Sequence, residues 1–227
     1  QYLQMARSIS RGDANEIQTR APVDHDHYRS QLLAALRKEG ITARENLGLS
    51  KFRIDISVSA PNSDSPFLAI MLDSPSWAGR STTYDRDLLP LAVLRSVGWR
   101  RLGRVWLPSH IHEATNFVTT VKNELERDLK VSTLRQELTE HGYEIRQDNA
   151  LSQIGLDFAI RKPGQTQWPL ALRVTGPNLF HQYLPYEGQV PDDDQITAVD
   201  CHAAINIWLP DWLDSRRLDS IDESYQA

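Results

Sequence analysis

The sequence predicts an α/β fold, a mixed central sheet flanked by helices, present twice in tandem. Three observations lead there. Apolar residues recur at helical spacing in Tyr28–Lys38 (Tyr28, Leu32, Leu33, Leu36), while Phe52–Val58 and Phe67–Asp73 are short strand-like runs. A break at Ala60–Pro66 separates those two runs, so helices and strands alternate along the chain. Finally, sliding the chain along itself by 102 positions places Gly40 on Gly142, Asp55 on Asp157, Leu68-Ala69 on Leu170-Ala171 and Trp106-Leu107-Pro108 on Trp208-Leu209-Pro210, with no gap. One register held from the first helix to the last strand is the mark of a duplicated unit.

Taken in order, Gln1–Ala14 has Leu3, Met5, Ala6 and Ile9 near helical spacing and stops at Arg11-Gly12-Asp13. Asn15–Asp26 is polar, contains Pro22 and reads as a linker, so residues 1–26 precede the first unit. The helix from Tyr28 is closed by Gly40, a residue that favours the left-handed turn after a helix. Ile41–Glu45 is a short strand, Gly48 a turn, and the two longer strands follow. Trp77–Tyr84 is read as loop and Asp85–Val97 as a helix (Leu88, Leu89, Val93, Leu94, Val97), although Pro90 would interrupt its hydrogen bonding. Arg101–Leu107 is the last strand of the first unit, placed at 27–112; the polar helix Glu113–Lys130 opens the second, 113–227. There the helix of the first unit is replaced by Gln182–Val199, rich in Pro and Asp and read as a loop.

Composition narrows the function classes. The 227 residues are 40% hydrophobic and 24% charged, ordinary for a globular protein with a full core. A lone cysteine, Cys201, excludes an internal disulfide and fits a reducing cytoplasm. No apolar run approaches the roughly 18 residues of a membrane span, and Gln1–Arg11 lacks the basic-then-apolar order of a secretory signal. The absence of an initiating Met suggests a piece excised from a longer protein. A net charge of −5 disfavours a general nucleic-acid binder but not a local basic patch. There is no Gly-rich phosphate loop. His25, His27, His110, His112, Cys201 and His202 have no CxxC or HExxH companion, so zinc is not expected.

The motif series Tyr28…Leu32…Leu36…Gly40, Arg53-Ile54-Asp55-Ile56-Ser57-Val58 and Leu68-Ala69-Ile70-Met71-Leu72-Asp73 continues with Tyr84-Asp85-Arg86-Asp87, Val93-Leu94, Gly98-Trp99 and Arg104-Val105-Trp106. It resembles the restriction-endonuclease-like domains of the PD-(D/E)XK superfamily, of the very-short-patch-repair type, over about Tyr28–Trp106. Such domains are often found at the C-terminal end of superfamily I DNA/RNA helicases. The resemblance implies acids on two adjacent strands holding Mg²⁺ or Mn²⁺ on a phosphate.

Two departures weaken that implication. The helical Glu of the family is Arg29 here, and the Glu of its I-E-x-D element is Met71, a soft thioether ill suited to hard Mg²⁺. Asp55 and Asp73 remain. In the second unit Asp157 persists, whereas Val131, Arg173 and Thr175 stand where Arg29, Met71 and Asp73 do. Persistence of Asp157 beside Arg173 favours a structural role for both aspartates, accepting backbone hydrogen bonds or pairing with an arginine such as Arg53.

The expectation is therefore a non-catalytic nuclease-fold module of a helicase-like protein, needing no cofactor. It engages DNA through Arg80, Arg86, Arg95, Arg100, Arg101 and Arg104, near Trp77, Tyr84 and Trp99, or docks to the parent protein. The alternatives are a Mg²⁺- or Mn²⁺-dependent endonuclease using Asp55 and Asp73, with Glu45 the nearest spare acid, and a protein-interaction scaffold. The tandem arrangement makes a monomer plausible through an internal pseudo-dimer; the acidic C-terminal part (Glu187 to Glu223) reads first as solvated surface, with a basic partner or the Arg-rich face of the first unit as the alternatives.

Overall fold

The computed structural model describes residues 26–48, 53–60, 65–99, 101–106, 114–176, 180, 191–208, 221 and 223–225. The expected helix Gln1–Ala14, most of the linker after it, His25, Arg100, His110 and His112 lie outside these residues.

The first unit runs α1 (His27–Lys38), β1 (Ala43–Leu47), β2 (Ile54–Ser59), β3 (Pro66–Leu72), a short α2 (Pro75–Ala78), α3 (Leu89–Ser96) and β4 (Arg101–Val105). Asp26 caps α1 by accepting the N–H of Tyr28 and of Arg29, at 3.0 and 3.1 Å. Gly40 follows α1 at φ 73°, and Ile41 returns its N–H to the Leu36 carbonyl. The second unit repeats this turn at Gly142, φ 83°, with Tyr143 donating to Leu138.

A 27-residue helix, α4 (Ala114–Glu140), joins the two units. The second continues with β5 (Glu144–Arg146), α5 (Asn149–Gln153), β6 (Phe158–Arg161), β7 (Trp168–Thr175), α6 (Asp193–Ala198) and β8 (Cys201–Trp208). Each unit has a four-stranded mixed sheet, in order β1-β2-β3-β4 and β5-β6-β7-β8. In both, the first two pairings are antiparallel and the last is parallel. The registers match at the sequence offset: Ser57 pairs Ala69 as Ala159 pairs Ala171, and Leu68 pairs Arg101 as Leu170 pairs Ala203. The expected fold class, a mixed sheet flanked by helices with two such sheets in tandem, is the one observed.

Strand alternation divides each core in two. Leu68, Ile70 and Leu72 face α1 and the first half of α4, whereas Ala69 and Met71 face Leu91 and Leu94 of α3. In the second unit Leu170, Leu172 and Val174 pack on the other half of α4, and Ala171 packs towards α5 and α6.

Several elements differ from expectation. The helix read as Glu113–Lys130 does not stop there; it runs on to Glu140, absorbing the first helix of the second unit. Its buried stripe is continuous, with Phe117 and Val121 in the first core and Val131, Leu134 and Leu138 in the second. Phe117, Val118 and Val121 therefore complete the first unit although they lie past residue 112. The helix read as Asp85–Val97 is instead a π-helical turn, Tyr84–Leu88, followed by α3. Pro90 then falls in the first turn of α3, where its missing N–H costs no hydrogen bond. The span Trp77–Tyr84, read as loop, includes the end of α2. Within Gln182–Val199 also, Asp193–Ala198 is helical, nucleated by a capping box between Asp192 and Gln195.

Candidate active site

Asp55 sits on β2, 6% exposed. Its Oδ2 accepts the Leu72 N–H at 2.9 Å across the sheet. Its Oδ1 lies 3.8 Å from Nη1 of Arg29, whose Nε lies 3.1 Å from Oε2 of Glu45. The arginine that replaces the family's helical acid thus lies between the retained aspartate and the nearest spare carboxylate. Burial pushes the Asp55 carboxyl above its ordinary range, against the opposing pull of the Leu72 N–H and Arg29. Met71, in the position of the missing glutamate, is 4% exposed and packs with Leu91, Leu94 and Leu102. Asp73 is half-buried at the end of β3 and raises the pKa of Tyr28 through its charge, after burial itself.

This donor set does not fit a divalent cation. A guanidinium stands near one oxygen of Asp55, a backbone N–H binds the other, and the third position is an apolar thioether. Among the described residues no three His, Cys, Asp or Glu side chains come together as a ligand set.

The counterpart in the second unit is more deeply buried. Asp157 accepts the Val174 N–H at 2.7 Å, the same cross-strand bond that Asp55 makes. Its carboxylate is gripped by Arg101, which reaches over from β4, and by Arg127 of α4 at 3.3 Å. Arg127 in turn lies 3.9 Å from Glu124, whose other oxygen accepts the Phe180 N–H at 3.0 Å. Burial alone would push the Asp157 carboxyl up; Arg101, Arg127 and the Val174 N–H outweigh it and hold it below the ordinary range. Burial keeps Glu124 raised and brings Arg127 down to about 10, helped by the nearby Arg101. A cavity of about 10 Å³ beside Asp157, lined also by Arg95 and Arg101, has room for about one water.

The five described arginines of the six in the sequence motif do not share one face. Arg95 and Arg101 are buried against the second unit, Arg95 donating to the Gln153 carbonyl at 3.1 Å. Burial, with Arg101 and Arg173 close by, lowers Arg95 to about 10. Arg104 is 4% exposed, 3.0 Å from Asp87 and 4.4 Å over the Trp106 ring. Arg80 and Arg86 are half-buried, with Arg86 5.1 Å over Trp77, and Tyr84 beside them is 56% exposed. The contact between units is made by unlike faces: β4 and the end of α3 on one side, α5 and Asp157 on the other.

Residues 28–125 match the model of the restriction endonuclease-like family REase_MTES_1575. They form a restriction-endonuclease-like domain. The match ends within α4, in keeping with a first core that needs Phe117, Val118 and Val121. No curated protein and no solved structure matches the chain.

Sequence reasoning found the aspartates of this nuclease-fold domain and of the unit after it, and the arginine at 29. The partner of Asp55 is Arg29 on α1 rather than Arg53, the sequence neighbour considered, and the roles of Glu124 and Arg127 were missed. The signal was faint: Glu124, Arg127 and Asp128 fall on the same helical stripe as Val121 and Val131, charged residues where apolar ones are due.

Proposed function

We propose that the chain is a non-catalytic nuclease-fold module of a helicase-like DNA-processing protein, built from two tandem copies of one domain. The observation that carries the non-catalytic reading is the Arg29 guanidinium, 3.8 Å from Asp55 and 3.1 Å from Glu45. A positive charge held there opposes a cation and engages the retained aspartate together with the nearest spare acid. The common offset of the two sheets' registers supports duplication, and the Asp55 and Asp157 bonds to Leu72 and Val174 give the aspartates a role in the fold. Among the described residues Arg95, Arg101 and Arg104 are buried, which leaves DNA contact there to Arg80, Arg86 and Tyr84, a narrow patch suited to weak binding by phosphate contact and stacking.

The test incubates the protein with supercoiled plasmid and labelled single- and double-stranded DNA, in Mg²⁺, Mn²⁺ or EDTA, beside Asp55→Ala. The expected result is no cutting, with weak binding that falls as salt rises. Metal-dependent cutting lost in Asp55→Ala would instead make this an endonuclease using Asp55 and Asp73.

A further inference from the structure

We propose that β8 is an open sheet edge that accepts an extended, basic polypeptide segment as a fifth strand. Three observations carry this. β8 is eight residues long and pairs only with β7 among the described residues. His202, Ala203, Asn206 and Trp208 are exposed along it, and it carries no Lys, Arg, Asp, Glu or Pro. A long, uncharged edge strand lacks the features by which proteins ordinarily block pairing.

The equivalent edge of the first unit is closed. All five residues of β4 are buried; Arg101 reaches Asp157, and the Phe180 ring sits where a side chain on Gly103 would go, 2.9 Å from that Cβ position. The first unit thus uses this end to hold another body, and the second presents the same end with nothing described upon it.

The charge has inverted between the two. Residues 89–106 contain four arginines and no acid, and one of them, Arg101, grips the acid of the second unit. Residues 191–208, the same stretch one unit later, contain four aspartates and no Lys or Arg. Asp193 and Asp194 lie exposed on α6, which packs on β8, and Asp200 stands at the entrance of the strand. Main-chain hydrogen bonds to the edge supply affinity, and the aspartates select lysine or arginine on the incoming strand. A second copy of this chain would bring the same four aspartates to the contact and is disfavoured. The inference stands whether or not Asp55 binds a metal.

The probe is a fluorescent eight-residue peptide of alternating lysine and valine. Its controls are a glutamate–valine peptide and a lysine–valine peptide interrupted by two prolines. Anisotropy is read on the full chain, with hydrogen exchange followed across residues 201–208. We expect the lysine–valine peptide alone to bind and to slow exchange in 201–208, with affinity falling at least tenfold in Asp193→Lys/Asp194→Lys. Those positions are exposed, and the capping Asp192 is untouched. Equal binding of the proline-interrupted peptide, unchanged exchange in 201–208, or unchanged affinity in the double variant would overturn the proposal. So would concentration-dependent protection of 201–208 without peptide, which would assign the edge to a second copy.

Discussion

Replacing Arg101 tests whether the two units are held together by buried charge. Arg101, Asp157 and Arg127 have side chains 9%, 3% and 5% exposed, so water contributes little to their solvation. Arg101→Met removes one guanidinium and keeps much of the side-chain volume, leaving Asp157 with Arg127 and the Val174 N–H. Asp157→Asn leaves two buried guanidiniums facing a neutral amide. Breaking a buried pair from one side costs about 3–5 kcal/mol; Arg101→Met belongs near the lower figure because a second arginine remains. Urea unfolding would measure it, with an unchanged slope showing that the denatured state is unaltered. Lys122→Ala is the control, since the Lys122–Glu39 pair is exposed and should leave the midpoint where it was. A loss under about 1 kcal/mol for Arg101→Met would place the pair in the class of surface contacts and refute the reasoning.

Other perturbations follow from the same geometry. Because the Asp157 carboxyl is held below its unfolded value, its contribution is full above about pH 3.9 and is lost as pH falls through the lowered native value. Asp157→Asn should flatten that acid limb of the stability curve. Asp55 is shifted the other way, so wild type binds the extra proton when folded and loses stability as pH rises from about 3.9 through the raised value. Asp55→Asn should remove that loss, and denaturation midpoints between pH 4 and 7 would show it. Met71→Glu places a carboxyl among Leu91, Leu94 and Leu102, and should cost about 2 kcal/mol or more, whereas Met71→Leu should cost less than about 1.5 kcal/mol. Gly103→Ala would press a methyl 2.9 Å from the Phe180 ring and should destabilise by about 1–3 kcal/mol, with Phe180→Leu relieving part of it.

Much of the fold was legible because it is local or periodic. Leu32, Leu33 and Leu36 mark α1, Gly40 and Gly142 mark the turns, and the ungapped offset foretells the shared register of the sheets. The break before α3 could be suspected from Pro90 but not located, since a π-helical turn has no sequence period of its own. The site was half legible. Asp55 and Asp157 stand out by their spacing, but what faces them depends on chain distant in sequence: Arg101 lies 56 residues from Asp157. Side chains that meet only in the folded state leave no spacing to read. The same limit hid the burial of Arg95, Arg101 and Arg104, because an arginine that contacts phosphate and one that closes a core look alike in sequence.

The helix α4 makes the angle between the units a matter of counting. It is continuous across 27 residues, about 40 Å at 1.5 Å per residue, and both cores are built on it. One residue inserted near Asp128 would screw the second unit about 100° around the first and move it 1.5 Å along the axis. Arg101 would then miss Asp157, and Phe180 would miss the space above Gly103. A flexible connector absorbs such changes in length; a shaft does not. The spacing between the two units is thereby fixed by rotation as well as by distance, and a change of length there would have to restore the phase of the helix as well as the reach of the chain.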